Sequence, residues 1–313
     1  METTSRKPFL ESDIYTDPAA ALRAEAEGFG GDAQQYLIDL IDAADPKDNA
    51  YQERAKESFD TLIDQGRGTE LGRLFNAHRI LTEFPRYGAN DKTSGDVSFF
   101  GEDFEIPETG LIVIDRFVTR NLAAIIETCK ERGIDLGRIR VRVDKTVFAA
   151  QLVRLSGEKK DEFEQACSTL NEDQFIYDGD LGDEEIALLF TPSTMAIMPE
   201  RYSTSEEATT EAVQDHVKQL VKNVVTGGRV LGNVAFKPGE PWQGLRTQTA
   251  AKGERVMIKI NGVTDGIAAA IARQMVALGF EPVEEIEDFD RNQVNKDLEN
   301  DGKLAKKLHV VKQ

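Results

Sequence analysis

The amino-acid sequence predicts an α/β protein, with an α+β arrangement as the alternative. A helical N-terminal region is followed by β-α-β units that form one or two mixed sheets. Apolar residues recur at helical spacing over the first 81 residues, whereas after Gly110 short apolar runs alternate with amphipathic segments. A strand, helix and strand follow one another twice, once from residue 111 and once from residue 255. This succession is typical of layered α/β folds.

The N-terminal region is predicted to contain a series of amphipathic helices. Asp17 and Pro18 have the N-cap and first-turn chemistry of a helix start, and Gly28 supplies a stop. Further helices are predicted over residues 32–44, 50–66 and 70–81.

A stretch rich in proline, glycine and polar residues follows at 83–107 and predicts a loop or domain boundary. We therefore predict a helical region at residues 1–90 and an α/β region at residues 91–313, with a division of the latter near residues 192–204 as an alternative. Phe99, Phe100 and Phe104 lie in this stretch. They are predicted to anchor the segment to the body of the protein; the alternative is an exposed aromatic cluster that forms a surface for a protein partner.

The α/β region is divided by its apolar runs and turn residues. Strands are predicted at 111–115, 138–143, 145–155, 185–190, 229–236, 255–260, 281–287 and 308–311. Helices are predicted at 121–133, 158–170, 205–225, 266–279 and 292–300. The segment KTVFAAQLVRL is predicted to return as a hairpin strand, and the sequence leaves open whether the two β-α-β units share one sheet.

The charge balance limits the classes of partner. Against 56 acidic residues the chain has 38 lysines and arginines, a formal charge of −18, which argues against broad attraction to nucleic acid or anionic lipid. No run of eighteen apolar residues and no signal-peptide pattern is present. The two cysteines form no metal or disulfide motif, so we expect a cytoplasmic protein without a membrane partner.

The segment INGVTDGIAAAIARQM has two glycines between a strand and an alanine-rich helix. Gly262, Gly266 and Ile267 occupy matching positions in the first β-α-β unit of the short-chain dehydrogenases, so this segment resembles that family's dinucleotide-binding turn. The resemblance implies a nucleotide phosphate held at Gly262, Asp265 and Gly266, where a helix N-terminus attracts anions.

The same segment departs from that pattern. Asn261 stands in place of a threonine, and Ala268 replaces the third glycine. The segment also lies too near the C-terminus for the remaining strands of such a fold. The sequence therefore favours a plain turn between strand and helix, with Asp265 as the predicted N-cap.

The segment GLIVIDRFVTRNLAAIIETCKERGIDLGRIRV is similar in layout to ACT-type regulatory modules, whose strand also leads through Asp-Arg into a helix and a second strand. The resemblance implies a small-molecule sensor. Any ferredoxin-like β-α-β unit has the same spacing.

The strand RIRVRV alternates apolar residues with arginines. Arg138, Arg140 and Arg142 therefore share one strand face and are candidates for binding phosphates or carboxylates bidentately. The alternative is internal pairing with Asp or Glu of a neighbouring strand.

No metal or catalytic motif occurs, and His78, His216 and His309 are far apart in the sequence. The leading hypothesis is thus a non-catalytic interaction, structural or regulatory component of a protein assembly, without cofactor or metal, which binds a protein partner or itself. The alternatives are a nucleotide- or phosphate-binding enzyme that uses the Gly262 to Gly266 turn, and an ACT-like sensor.

Overall fold

The computed structural model describes residues 7–42, 49–65, 67, 78, 81, 105–115, 118–177, 181–191, 206–236, 245–249, 256–260, 264–282 and 304–313. All structural statements below concern these residues. Among them, no helix is long and apolar enough to cross a lipid bilayer.

The described helices confirm a helical N-terminal region and continue through the α/β part. The helices are α1 (Asp13–Thr16), α2 (Pro18–Ala26), α3 (Gly31–Ile41), α4 (Asn49–Asp64), α5 (Val118–Glu131), α6 (Lys145–Arg154), α7 (Gly157–Cys167), α8 (Glu206–Val221) and α9 (Asp265–Ala277). Short 3-10 turns cover Phe9–Glu11, Leu136–Arg138 and Glu172–Gln174. As the sequence predicts, α2 has Asp17 as its N-cap, and the Asp17 carboxylate accepts a hydrogen bond from the Ala20 N–H.

The strands form a seven-stranded mixed sheet and a two-stranded sheet. The strands are β1 (Leu111–Asp115), β2 (Ile139–Val143), β3 (Phe175–Tyr177), β4 (Ile186–Thr191), β5 (Val224–Phe236), β6 (Leu245–Thr249), β7 (Val256–Ile260), β8 (Phe280–Pro282) and β9 (Leu304–Lys312). The order in the large sheet is β3-β2-β1-β4-β5-β9-β8, and β6 pairs only with β7. The predicted α/β fold class is confirmed.

Strands β3, β2, β1, β4 and β5 are parallel to one another, whereas β9 is antiparallel to both β5 and β8. The central strands are apolar runs because helices cover both of their faces. All six residues of β4, IALLFT, are buried. Helices α5, α6 and α7 and the N-terminal region share one core with one face of the sheet. Helices α8 and α9 share a second core with the other face.

One predicted strand and one predicted β-α-β unit are wrong. Residues 145–154 form helix α6, with Asp144 as its N-cap, rather than a hairpin strand. Every residue from Thr146 to Leu152 is buried, so the segment has no polar face to reveal a helical period. The strand within RVMIKI pairs in the separate β6 and β7 hairpin, so it does not form a β-α-β unit with β8. Strands β8 and β9 instead join the main sheet, which therefore contains strands from both predicted units.

The N-terminal segment packs directly on the α/β part. Phe9 is fully buried, and its ring stacks on Phe175 of β3 at a centroid distance of 3.8 Å. The backbone N–H of Phe9 donates to the carbonyl oxygen of Leu170, and Pro8 forms a β-bridge with Asn171. The domain boundary near residue 90 stays a prediction, because residues 82–104 lie outside the described part of the chain.

Both cysteine thiols are expected to be unreactive in the folded protein. Burial raises the pKa of the Cys129 thiol to about 12, although Arg132 and Arg138 act in the opposite direction. Burial also raises the pKa of the Cys167 thiol well above its usual range. Because the thiolate is the nucleophile, we expect negligible reaction with a chromogenic disulfide reagent at pH 8 and reaction of both thiols in denaturant. Rapid labelling of native protein would contradict this burial.

Candidate functional site

The strand order contains a topological switch point, where doubly wound sheets have a crevice at one edge. From β1 the chain adds β2 and then β3 on one side, and later returns to place β4 on the other side of β1. The helices that follow β1 and β4 lie on opposite faces of the sheet. In doubly wound sheets, ligands bind at this switch point, outside the carboxyl ends of the strands. The candidate site is therefore the edge where β1, β2 and β4 end.

Asp115 is the last residue of β1 and is 2% exposed. It lies opposite Arg142 in the parallel register of β1 and β2. The Arg142 Nε–H donates to Oδ1 of Asp115 across 2.7 Å, and the Arg142 side chain is only 15% exposed. A buried carboxylate is costly unless a cation and hydrogen bonds compensate for its lost hydration. The ion pair therefore stabilises a charged group at the carboxyl end of β1.

Asp144 directly follows β2 and caps helix α6. Its Oδ1 accepts a hydrogen bond of 2.8 Å from the backbone N–H of Val147. This hydrogen bond fixes the direction of the Asp144 side chain. Helix α6 is itself held in place because it is buried between the sheet and the N-terminal helices. A second carboxylate is thus held at the end of the strand next to β1.

The starts of helices α8 and α9 lie at this same edge. Helix α8 follows the carboxyl end of β4, and α9 begins there because β8, which follows α9, runs in the direction of β5. Thr264, the N-cap of α9, accepts a hydrogen bond from the Ile267 N–H and donates one to the carboxylate of Glu206, the first residue of α8. The two helix starts are therefore linked.

The hairpin of β6 and β7 is inserted between β5 and α9. Since β5 ends and α9 begins at the carboxyl edge, the hairpin leaves and rejoins the fold there. Helix α4 of the N-terminal region packs against this hairpin. Helix α4 and the hairpin therefore pack together on the side of the carboxyl edge.

The glycine turn predicted to bind phosphate is only partly described. Gly262 lies outside the described residues, Asp265 begins α9, and Gly266 is exposed in the first turn of that helix. Thr264, one residue before the predicted Asp265, is the N-cap. The Glu206 carboxylate bonded to Thr264 places negative charge at this helix start, where a phosphate would be repelled. Nucleotide binding at this turn stays a prediction.

The three predicted anion-binding arginines have different partners. Arg138 donates to the carbonyl oxygens of Pro107, Thr109 and Gly110, and so holds the segment that enters β1. Arg140 donates to the carbonyl oxygens of residues 137 and 139. Of the three arginines, Arg142 is the one with a carboxylate partner within the described residues, namely Asp115 of β1. Binding of an external anion by the three arginines stays a prediction.

The other predicted features are placed as follows. The aromatic candidates Phe99, Phe100 and Phe104 lie outside the described residues. Within the described ranges, no group of three His, Cys, Asp or Glu side chains could hold a metal ion.

A separate cleft of about 1000 Å³ lies at the opposite, amino edge of the sheet. It is bordered by the segment before β1, the end of α5, the start of β5 and the end of β9. Arg229 in its wall donates from Nε to the carbonyl oxygen of Glu105 and lies 3.0 Å from Nε2 of the buried His309. Because this edge is remote from the topological switch point, we assign the candidate site to the carboxyl edge.

Asp115 and Asp144 are not among the site residues predicted from the sequence. The sequence pattern that could have identified them is an acidic residue at the end of each of two successive strands in one β-α-β unit. In dinucleotide-binding folds, an acid after the second strand binds the ribose hydroxyls. Reading strand ends, rather than glycine spacing alone, would have found both residues.

No protein-family model and no curated protein sequence matches the chain. Several solved structures resemble it. The glycopeptide N-methyltransferase MtfA is 14% identical over 73% of this chain and 100% of its own, with a TM-score of 0.34. A 1,6-didemethyltoxoflavin-N1-methyltransferase from Burkholderia thailandensis is 13% identical over 80% and 89% of the two chains, with a TM-score of 0.37. Geranyl diphosphate C-methyltransferase from Streptomyces coelicolor A3(2) is 10% identical over 75% and 81%, with a TM-score of 0.39.

These similarities correct the leading functional hypothesis. The comparisons contradict the prediction of a non-catalytic interaction or structural component: the similar solved structures reported above are methyltransferases. The comparisons also stand against the prediction of no cofactor: structures of MtfA were solved with S-adenosylmethionine, sinefungin and S-adenosylhomocysteine. The candidate site has no compact sequence motif, because it is assembled from the ends of separate strands.

Proposed function

We propose that this protein is a methyltransferase that uses S-adenosylmethionine, with the nucleoside part of the cofactor at the carboxyl ends of β1 and β2. The observation that carries the proposal is the position of Asp144 directly after β2 in a doubly wound sheet. A carboxylate there can accept hydrogen bonds from both hydroxyls of a ribose.

The sequence after β1 distinguishes between classes of nucleoside ligand. Dinucleotide sites have a glycine-rich turn after the first strand, which lets the backbone approach a pyrophosphate. Here no glycine occurs between Gly110 and Gly133. A ligand with a ribose but no phosphate therefore fits this chain better than a dinucleotide, and S-adenosylmethionine is such a ligand.

The charges of the site also suit this cofactor. S-adenosylmethionine carries a sulfonium and an ammonium group, and the carboxylates of Asp115 and Asp144 lie at neighbouring strand ends. Opposite charges in a partly buried crevice attract more strongly than they would in water. When bound, the cofactor supplies an electrophilic methyl group to a nucleophilic atom of the acceptor.

In such a transfer, the protein's own residues bind and orient the cofactor and the acceptor. Asp144 is held by its cap and Asp115 by Arg142, so both carboxylates have fixed directions before a ligand arrives. Preorganisation of this kind lowers the entropy cost of binding. We assign the acceptor to the side walled by α4 and the β6 and β7 hairpin, which can exclude water from the crevice.

A binding measurement with matched variants tests the proposal. S-adenosylmethionine at 100 times its Kd should stabilise the wild-type chain by about 2.7 kcal/mol in thermal unfolding. Asp144→Asn keeps a side chain that caps helices well but removes the charge. We expect its affinity for the cofactor to fall by about tenfold or more, because hydrogen bonds to charged groups contribute about 1.5–3 kcal/mol.

Asp17→Asn is the matched control. Asp17 caps α2 as Asp144 caps α6, through a 2.9 Å hydrogen bond from the Ala20 N–H, but it lies at the opposite end of α2 from Glu25, which contacts Thr146 at the start of α6. Its substitution should leave cofactor affinity unchanged. A wild-type protein stabilised by NAD and not by S-adenosylmethionine would refute the proposal in favour of a dinucleotide enzyme.

Two further expectations from the sequence are kept as proposals. We propose a cytoplasmic location, supported by two buried free cysteines, and association with a protein partner or a second copy. Light scattering during size-exclusion chromatography measures the second directly. A monomer that retains no partner in native lysate would contradict it.

A further inference from the structure

We propose that Arg142 is a positioning residue for the cofactor, acting through Asp115. The inference rests on the proposed function and adds a residue to it. Asp115 and Arg142 are paired in register at the carboxyl ends of β1 and β2, and the Nε to Oδ1 distance is 2.7 Å. The arginine thus holds the carboxylate of its strand neighbour at the floor of the crevice.

The surroundings of Asp115 explain why it depends on a cation. The carboxylate is 2% exposed, so water cannot stabilise its charge. On the other side of β1, the end of β4 contributes Phe190 and Thr191, which are buried and uncharged. Without the guanidinium, the carboxylate would take up a proton or turn toward another donor. Either change would remove the fixed anion that faces a cationic cofactor.

The neighbouring arginine supplies a comparison within the same strand. Arg140 is two residues earlier, so it projects from the same face of β2 as Arg142. Its Nη1 donates to the backbone carbonyl oxygens of Gly137 and Ile139, both close to it in sequence. Arg140 therefore shares the charge and strand of Arg142 but not its carboxylate partner, and Arg140→Gln is the matched control.

The experiment is isothermal titration of the full-length protein with S-adenosylmethionine, with thermal unfolding measured in parallel. We expect Arg142→Gln to weaken binding by about tenfold, as for other coupled pairs in contact. Arg142→Lys, which keeps the charge, should recover most of the affinity. Arg140→Gln should bind as the wild type does.

A double-mutant cycle tests whether Arg142 acts through Asp115. In the background of Asp115→Asn, the further change Arg142→Gln should alter affinity little, because the carboxylate is already absent. The double variant contains no uncompensated buried charge, so it should fold even where Arg142→Gln alone does not. Its affinity can then be compared with that of Asp115→Asn alone.

The possible outcomes are distinct. Wild-type affinity in Arg142→Gln, or an equal loss with and without the Asp115 carboxylate, overturns the positioning role while the methyltransferase proposal stands. Failure of the wild-type chain to bind S-adenosylmethionine overturns the proposed function, and the positioning role falls with it.

Discussion

Replacing Phe9 by alanine is expected to lower the free energy of unfolding by about 3–5 kcal/mol, the usual cost of removing a buried aromatic ring. Phe9 is fully buried. Its ring stacks on Phe175 at 3.8 Å and meets Phe163 edge to face at 6.1 Å. Phe148 lies at 5.9 Å, so the ring contacts a strand and two helices of the α/β part. Collapse of these elements into the cavity would distort the sheet edge, and little relaxation is therefore available.

The measurement is urea unfolding of the full-length chain followed by circular dichroism. Leu10→Ala is the control, because Leu10 packs against the same core but is only partly buried. Leu10→Ala should lower the free energy of unfolding by about 1 kcal/mol, because folding removes a smaller apolar area of Leu10 from water. Equal costs for the two variants would mean that the N-terminal segment is not docked on the α/β core in solution.

The class of fold could be predicted from local sequence patterns. The runs LIVID and IALLF are short, apolar and bounded by turn residues, which is how a strand buried on both faces is encoded. Helix α6 could not be recognised in the same way. Its residues Val147 to Ala150 are apolar because the sheet and the N-terminal helices enclose it, so burial removed the period that identifies a surface helix.

The strand order was not predictable, and the candidate site depends on it. Asp115 and Asp144 are separated by helix α5 in sequence, and they become neighbours only because β1 and β2 are adjacent parallel strands. Gly262 and Gly266 lie close together in the sequence and form a local pattern that can be recognised. A site assembled from strand ends has no such local pattern, so the sequence indicated the glycine turn and not the two carboxylates.

The arginines of β2 illustrate the same limit at smaller scale. Alternation in RIRVRV correctly indicated that Arg140 and Arg142 project from one face of β2, whereas Arg138 ends the 3-10 turn before the strand. It could not distinguish their partners, because those depend on which strand and which loop lie beside β2. Arg138 holds the loop before β1, whereas Arg142 meets a carboxylate on β1 itself. The three arginines therefore share one sequence pattern but hold different parts of the structure.

Substituting Gly232 is expected to destabilise the sheet at the carboxyl end of β4. Gly232 of β5 lies opposite Thr191 in the parallel register. A Cβ atom at Gly232 would lie 2.6 Å from the Thr191 carbonyl oxygen and 3.0 Å from its Cγ2. Glycine in a strand often marks such a close approach of another backbone. Since a strand backbone cannot move without loss of ladder hydrogen bonds, Gly232→Ala should cost about 3 kcal/mol, the upper range for overpacking.

The matched control for that variant is Gly28→Ala, where the added Cβ would meet its nearest neighbour, the Glu25 carbonyl oxygen, at an ordinary 3.4 Å. It should change the free energy of unfolding by no more than about 0.5 kcal/mol. Because β4 ends at the crevice, Gly232→Ala should also weaken binding of S-adenosylmethionine, whereas Gly28→Ala should not. If Gly232→Ala proves as stable as the control, β4 and β5 are not packed as closely as the register requires, and the crevice beside Thr191 would need a different wall.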